Sequence, residues 1–155
     1  MPSKRVKSLL DNAGVSYEMM EHDTAFTSLE VAAATHVKAR ELAKAVMLKS
    51  GGHTVMAVIP ATCKINFDLA ESFLKSQDVS LAAEEEFSPL FPDCERGAMP
   101  PFGELYGVDV IADEKLTKDR EIVFNAGTHH EIMRMSFEDW KKLVKPRMGS
   151  FTSHI

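Results

Sequence analysis

Three short stretches of the chain combine residue types that could bind and polarise a carbonyl group. Lys44 lies in an otherwise apolar run, residues 42–48, where strand alternation places it on one face with Val46 and Leu48. Residues 97–103 form a loop in which two glycines bracket a double proline and one aromatic residue, so the loop is stiff without being regular. Residues 125–128 end another apolar run in small residues. An ammonium group beside free backbone amides favours hydrolysis of an activated ester by water.

In this interpretation, the amides of Ala98, Met99 or Gly127 are candidate donors to a developing oxyanion, and Lys44 supplies positive charge whose effect grows as water is excluded. Two plainer alternatives remain open. Lys44 could lie at the start of its strand and extend its ammonium group to water. The loop could be an ordinary connection with Phe102 packed in the core.

Several other sites are not expected. The sequence lacks the glycine patterns of nucleotide-phosphate loops, dinucleotide-binding turns and serine-hydrolase elbows. His129 and His130 are adjacent, so on a strand they point to opposite faces and cannot readily chelate one metal ion, although one of them could face a pocket. Cys94 has no patterned His and acid partners, which favours a buried inert thiol over a nucleophile. With Cys63 as the second cysteine, free thiols are expected.

Composition limits the classes of protein and partner. The 155 residues are 45% hydrophobic, which predicts one domain over residues 1–155. A net charge of −5 argues against electrostatic coating of nucleic acid, so DNA is not an expected partner, while a local contact to RNA stays possible. No apolar run approaches the ~20 residues that span a membrane, and the polar start is unlike a secretory signal. We therefore expect a cytoplasmic protein without a membrane partner.

Hydrophobic periodicity predicts a mixed α/β domain with five to seven strands. Helices are expected at about 4–13, 28–35, from Asn66 or Asp68 onward with Leu69, Phe73 and Leu74 on one face, at 82–91, and from the capping box at Ser136 to 144. Strands are expected at 17–22, in a hairpin of 42–48 and 54–59, and at 79–81, 108–112, 121–125 and 132–135. Residues 113–120 are predicted to be a charged turn and 145–155 a ragged tail.

Together, three motifs resemble the YbaK-like family of aminoacyl-tRNA deacylases, which is related to the editing domain inserted in prolyl-tRNA synthetase. They are Lys44 within Ala43 to Leu48, the Gly-x-x-x-Pro of residues 97–101 continued by Phe102 and Gly103, and the strand end 124–128 followed by 132–136. The motifs occur in the family's order over about residues 3–144. Their combination is far more specific than any one of them.

The resemblance implies a mixed, strongly curved, barrel-like sheet flanked by helices, and a free-standing enzyme that hydrolyses the ester of mischarged tRNA carrying a small amino acid. It implies neither cofactor nor metal, and mischarged tRNA and an aminoacyl-tRNA synthetase are the candidate partners. It points to Lys44, Gly97 and Pro101 as catalytic. The substrate-binding residues that it implies are Ala98, Met99, Pro100, Phe102, Gly103, Asn125, Gly127, Thr128 and His130, with His129 as the alternative to His130.

Two features leave the activity open. The family's lysine is often followed by Thr or Asn, whereas this chain has Ala45, which leaves the amino-acid specificity undetermined. A tRNA- or synthetase-binding module of the same fold, without hydrolysis, is the main alternative. Hydrolysis of a small ester unrelated to tRNA is the third.

Overall fold

The computed structural model describes residues 4–21, 41–95, 98–118, 120–129 and 131–154. In chain order these residues form α1 (Lys4–Asn12), β1 (Tyr17–Glu21), β2 (Ala43–Ser50), β3 (His53–Pro60), β4 (Cys63–Ile65), α2 (Phe67–Leu74), β5 (Val79–Leu81), α3 (Glu84–Phe87), β6 (Asp109–Asp113), β7 (Glu121–Asn125), β8 (Glu131–Ser136), α4 (Phe137–Val144), β9 (Arg147–Gly149) and β10 (Thr152–His154). Short 3-10 helices cover Ser88–Leu90, Gly103–Tyr106 and Glu114–Lys118. None of the helices described is long and apolar enough to cross a membrane.

The strands form three sheets. The largest has the order β5-β2-β3-β6-β9, in which β3, β6 and β9 run parallel while β2 is antiparallel to both of its neighbours. The second has the antiparallel order β1-β8-β7, and the third pairs β10 with β4. The mixed α/β prediction is therefore confirmed.

The prediction of a strongly curved, barrel-like sheet is wrong for the described residues. The five-stranded sheet stays open, with β5 and β9 as its edges, and no described sheet closes on itself. It meets the three-stranded sheet at one isolated parallel bridge, between Leu42 and Val123. A single bridge joins the two sheets at a seam without continuing the ladder of hydrogen bonds that barrel closure requires.

The two faces of the five-stranded sheet are buried against different partners, which explains its apolar strands. One face supplies Met47, Met56 and Val58 to the main core, where side chains of β7, β8 and α4 such as Phe124 and Trp140 complete the packing. The other face packs against α2 and the C-terminal segment in a separate cluster: Leu48, Val55, Ala57, Ile59, Ala70, Ile111 and Phe151. Lys44 belongs to the second face.

Most predicted elements are present, with several corrections. The predicted ragged tail instead forms β9 and β10, because the Asp113 carboxylate accepts hydrogen bonds from Phe151 N and Thr152 Oγ1 at 3.1 and 2.9 Å. The short strand β4, which the sequence analysis missed, pairs with β10. The predicted charged turn holds a 3-10 helix, Glu114–Lys118.

Two helical predictions need correction as well, and a third cannot be compared. The predicted helix 82–91 divides into α3 and a 3-10 turn with Pro89 near the start of the turn. Leu69 is 40% exposed, so it does not belong to the packed face of α2. The predicted helix 28–35 lies outside the described residues, as does residue 22 at the end of the first predicted strand.

Candidate active site

Lys44 is a half-buried lysine on β2, in the sheet face that packs against α2. It lines an open groove of about 290 Å³. We call this the Lys44 groove, and its lining residues are Lys44, Val46, Ile59, Lys64, Ile65, Phe67 and Leu81. The predicted face is confirmed: Lys44 lies beside Val46, and its backbone neighbour across the hairpin is Ile59.

The surroundings of Lys44 disfavour its charged form. Burial lowers the pKa of the Lys44 ammonium below its ordinary value of 10.5, and the nearby Cys63 sulfur partly opposes that shift. Among the described residues no carboxylate pairs with Lys44. The ammonium has therefore lost part of its hydration without gaining a counter-ion, so a ligand with negative charge would be attracted to it.

Asn125 and Lys44 occupy equivalent positions on the two strands that the isolated bridge joins. The parallel bridge pairs Leu42 with Val123, and Lys44 and Asn125 each follow their bridge residue by two positions. Alternation directs both side chains to the face that Leu42 and Val123 share, where these two residues pack with Ile132. The seam between the sheets thus places an ammonium group and a carboxamide on adjoining strands.

The Asn125 side chain has an unused acceptor. Its Oδ1 atom is buried and has no hydrogen-bond partner within the part of the chain that the structure describes. A buried carbonyl oxygen without a donor costs roughly 1–3 kcal/mol, so it requires an explanation. A ligand N–H group in the seam would satisfy it.

The described part of the Gly/Pro loop, residues 98–103, and the preceding Glu95 are hydrogen-bonded to the Gly127 turn, residues 125–129. Glu95 N donates to Gly127 O at 2.8 Å, and Gly127 N donates to Ala98 O at 3.0 Å. The Glu95 carboxylate also accepts from His129 N at 2.8 Å. Gly127 has φ of 102°, a left-handed conformation that favours glycine. These contacts fix the loop against the strand end that carries Asn125.

The described side chains of the loop point into the core. Phe102 is 1% exposed and packs edge-on against Phe124, with ring centroids 5.5 Å apart. Trp140 Nε1 donates to the carbonyl oxygen of buried Pro101 at 3.0 Å. A Cβ atom on Gly103 would lie 2.7 Å from Val108 O, so close packing already accounts for that glycine. The remaining side chains of this stretch, Ala98, Met99 and Pro100, are buried.

The loop amides differ in their availability. Ala98 N donates to Glu95 O at 3.1 Å, and Gly127 N is occupied by Ala98 O, so two of the three candidate oxyanion donors are already paired. The Met99 amide is not among the paired backbone donors of the described residues. None of the described loop residues lines the Lys44 groove. The described loop residues therefore contact the turn that follows Asn125, and they lie outside the groove that Lys44 lines.

The other predicted residues are placed as follows. Thr128 is buried, and its hydroxyl donates to Glu131 Oε1 at 3.5 Å. His129 is buried in the Gly127 turn. Gly97 and His130 lie outside the described residues. In the described part of the chain, no group of three or more His, Cys, Asp or Glu side chains could hold a metal ion.

A family comparison identifies this arrangement. The sequence profile of the aminoacyl-tRNA editing domain matches residues 22–143, which include Lys44, the Gly/Pro loop and the Gly127 turn. The chain belongs to this family. The resemblance drawn from the motifs is thereby confirmed. None of the curated proteins matches the sequence.

Solved structures share the editing-domain fold. A protein described as a candidate trans-editing enzyme for prolyl-tRNA synthetase aligns with a TM-score of 0.84 and 18% identity, covering 97% of this chain and 96% of that one. The hypothetical protein APE2540 aligns with a TM-score of 0.87 and 17% identity, over 97% of this chain and 100% of that one. A signal-transduction candidate from Marinobacter aquaeolei VT8 aligns at 0.75 and 15% identity, over 98% of this chain and 31% of that one. At these identities the likeness shows the fold alone.

Sequence reasoning did not identify Glu95, Phe67 and Leu81 as residues of this editing-domain site. Glu95 holds both the loop and the Gly127 turn, but no local pattern separates it from the other acidic residues. Phe67 and Leu81 line the groove and are 39% and 61% exposed. An exposed apolar side chain can indicate a binding surface, but its exposure is known only once the fold is known.

The prediction for Cys94 agrees with its surroundings. Burial raises the pKa of the half-buried thiol to about 11, although a hydrogen bond with Tyr106 opposes that shift. The nearby Asp93 carboxylate raises it further. A thiol with this pKa carries little thiolate at neutral pH and is a poor nucleophile.

Proposed function

We propose that this editing domain is an aminoacyl-tRNA deacylase, which hydrolyses the ester between a small amino acid and the tRNA of a mischarged pair. The observation that carries the proposal is Lys44, whose ammonium group is partly desolvated and has no carboxylate partner among the described residues. It lies two positions after the bridge between β2 and β7, as does Asn125 with its unsatisfied Oδ1 atom. Family membership supplies the substrate class.

In the proposed reaction, water attacks the carbonyl carbon of the ester and the carbonyl oxygen becomes an oxyanion. The bond from that carbon to the ribose oxygen then breaks, and the ribose oxygen takes up the proton that the attacking water loses. The products are the free amino acid and intact tRNA. Lys44 attracts the developing negative charge, and this attraction grows as the substrate displaces water from the half-buried ammonium.

Asn125 is proposed to recognise the amino acid. The substrate's α-amino group can donate to Asn125 Oδ1, which would remove the cost of the unsatisfied acceptor. The Gly127 turn and Thr128 would border the amino-acid side chain, and small residues there suit a small substrate. A synthetase discriminates by only about 1–3 kcal/mol per methylene, so a second, size-selective site is a physically reasonable supplement.

The Gly/Pro loop is proposed to position this pocket. Gly97 and Pro101 would set the shape of the loop. Of the three candidate oxyanion donors we propose the Met99 amide, because the amides of Ala98 and Gly127 already donate to Glu95 O and Ala98 O. His130 remains a proposed wall of the pocket, with His129 as the alternative. No cofactor is assigned a role.

The proposed partner is mischarged tRNA, and an aminoacyl-tRNA synthetase is a second candidate partner. Charged tRNA is consumed during translation, so the proposal assigns the protein to the cytoplasm. The editing-domain fold without hydrolysis, acting as a tRNA- or synthetase-binding module, is the competing function.

Single-turnover deacylation tests the proposal. The substrates are tRNAs charged with Ala, Ser, Thr, Cys or Pro, and the proteins are the native chain, Lys44→Ala and Lys49→Ala. Lys49 is the matched control, since it lies on the same strand but is exposed and paired with Glu86 at 2.7 Å. We expect hydrolysis of one or two of the esters by the native protein and Lys49→Ala, and a loss of at least about a hundredfold in Lys44→Ala.

Equal rates in Lys44→Ala and the native protein would remove Lys44 from the mechanism. Absence of hydrolysis for all five esters, with binding of tRNA retained, would support the binding module instead. Hydrolysis of a free aminoacyl ester at the same rate as aminoacyl-tRNA would favour the small-ester alternative.

A further inference from the structure

A basic patch lies where α4 ends and β9 begins. Four cationic side chains make up this patch, and all of them are exposed: Lys141, Lys142, Lys145 and Arg147. Residues 140–154 contain no Asp or Glu, although the whole chain carries a net charge of −5. None of the four side chains has an ion-pair partner among the described residues. The patch therefore attracts anions that the net charge of the protein repels.

Helix geometry brings the cations of the patch together. Lys145 follows Lys141 by four positions and Lys142 by three, so the three side chains are neighbours at the end of α4. Arg147 is the first residue of β9, and its guanidinium lies over the Phe73 ring on α2, 5.1 Å from the ring centroid. Like charges at these spacings repel each other, and a bound anion would remove that cost.

Lys145 has a backbone conformation that favours glycine. It is the C-cap of α4 with φ of 52°, and its N–H donates to Lys141 O at 2.9 Å. Glycine adopts this left-handed conformation without the steric cost that a Cβ atom adds. Cations near a helix C-terminus interact favourably with the helix dipole, but this effect falls off within the last turn and does not account for Arg147. The helix alone therefore does not explain the whole patch.

The patch suits the phosphate backbone of RNA better than a protein surface. Protein interfaces bind through a core of buried apolar side chains. The exposed large apolar residues of the described chain all lie outside the patch: Phe67, Leu69, Leu81 and Leu90. Phosphate groups need only cations within reach, and their affinity comes from the release of counter-ions.

We propose that the basic patch binds the phosphate backbone of the double-stranded acceptor stem of tRNA. Arg147 lies over Phe73, which follows Phe67, the first residue of α2, by six positions. This separation is about 9 Å along the helix axis, and Phe67 lines the Lys44 groove. The inference rests on the proposed function, because the esterified 3′ end must reach Lys44 while the patch holds the stem.

Acidic residues limit the stem contact to this patch. α2 carries Asp68 and Glu71 between Phe67 and Phe73, and Glu138 lies in the first turn of α4. Carboxylates repel phosphate groups, so these positions disfavour the stem. The phosphate contacts are therefore expected at the C-terminal end of α4 and at the start of β9.

Binding of uncharged RNA tests the patch separately from hydrolysis. Fluorescence anisotropy would measure Kd for a blunt RNA hairpin of the acceptor stem at several salt concentrations. The variants are Lys145→Gly, Arg147→Gln and the matched control Lys75→Gly. Lys75 is likewise an exposed C-cap lysine, with φ of 54°, but it ends α2, and the next residue, Ser76, lies beside Gly51 in the β2–β3 hairpin. In the sheet, β6 separates that hairpin from β9.

We expect Lys145→Gly to raise Kd about fivefold and to reduce the slope of log Kd against log salt by about 0.9, the value for one phosphate of a duplex. Arg147→Gln should have an effect of the same size, and Lys75→Gly should bind as the native protein does. Because glycine suits the C-cap conformation, the Tm of Lys145→Gly should equal or exceed the native Tm. Weaker binding by this variant then reports the lost charge and not a damaged fold.

Native affinity and salt dependence in both patch variants would overturn the assignment and favour an acidic protein surface as the partner. Equal weakening in Lys75→Gly would overturn it as well, because any exposed cation would then serve. Single-turnover deacylation of charged tRNA separates this inference from the proposed function. Weaker stem binding by variants of a protein that deacylates nothing would keep the patch and remove the proposed function. Deacylation whose dependence on tRNA concentration is native in both patch variants would keep the function and remove the patch.

Discussion

The indole Nε1 of Trp140 donates a hydrogen bond to the carbonyl oxygen of Pro101 at 3.0 Å, and this bond connects α4 to the Gly/Pro loop. Both residues are buried. The carbonyl therefore depends on Trp140 in a place where water cannot replace the indole. The terminal helix thus takes part in setting the loop shape, although it lies far from Lys44 in the sequence.

We expect Trp140→Phe to lower the free energy of unfolding by about 1–3 kcal/mol, because it retains an aromatic ring but leaves the Pro101 carbonyl without a donor. Thermal unfolding should show a decrease of roughly 2–4 °C in Tm for each kcal/mol. Tyr17→Phe is the control, since the Tyr17 hydroxyl donates to Asp11 at an exposed position. Equal Tm changes in the two variants would contradict a special role for the indole bond.

Local chemistry explains which parts of this fold the sequence predicts. The predicted N-cap at Ser136 is present, with Asp139 N donating to Ser136 Oγ at 3.3 Å, because the two residues lie within four consecutive positions. The hairpin of β2 and β3 is similarly local. By contrast, β9 and β10 depend on Asp113, which binds Phe151 and Thr152 about forty positions away and leaves no periodic signal in the tail.

The candidate site likewise has features that local sequence predicts and features that depend on tertiary structure. Alternation alone places Lys44 on an apolar face, and the motifs single out the loop and the Gly127 turn. The alignment of Lys44 with Asn125 follows from a bridge between residues 42 and 123, which no local pattern predicts. The exposure of Phe67 also depends on tertiary structure, because helical periodicity treats every apolar residue of α2 as a candidate for the core.

The Gly127 turn offers a second prediction. Gly127→Ala places a side chain on a residue with φ of 102° and strains both backbone bonds to the loop, so we expect a loss of about 1–3 kcal/mol in stability together with a large loss of deacylation. Gly52→Ala is the control: its φ is 87°, it lies in the β2–β3 hairpin, and a Cβ there would meet no atom within 4 Å. Its stability should also fall, while its deacylation rate should stay native. A native rate in Gly127→Ala would show that the hydrogen bonds of Gly127 with Glu95 and Ala98 do not support catalysis.

Asp113 gives a prediction about the C-terminal segment. The buried carboxylate accepts from Lys115 N at 2.9 Å as well as from the two tail donors, so Asp113→Ala leaves several buried donors unpaired. We expect a loss of roughly 2–4 kcal/mol and faster hydrogen exchange at Phe151 than at the centre of β3. Asp109→Ala on the exposed start of the same strand is the control. Native exchange at Phe151 in Asp113→Ala would mean that packing alone retains the tail.

The last prediction concerns how the Lys44 ammonium changes the stability and the activity of the protein with pH. Burial lowers its pKa in the folded state, so between that lowered value and the unfolded value near 10.5 the unfolded chain binds more protons. Stability therefore increases as pH rises through this window, while below it the full cost of the desolvated ammonium is present. Lys44→Met, which removes the charge but keeps a chain of similar length, should be as stable as the native protein at neutral pH or more stable by less than about 1 kcal/mol, since solvent screens a half-buried group.

The same substitution should abolish deacylation, because Met cannot attract an oxyanion. Urea unfolding of both proteins at neutral pH and near pH 10 measures the difference in stability, which should shrink at the higher pH as the native lysine loses its proton. The enzyme-dependent rate, after subtraction of spontaneous ester hydrolysis, should fall over the same range. A Lys44→Met protein that is markedly less stable than native at neutral pH would show that the lysine stabilises the fold. The prediction that its desolvated ammonium lowers the free energy of unfolding would then be wrong.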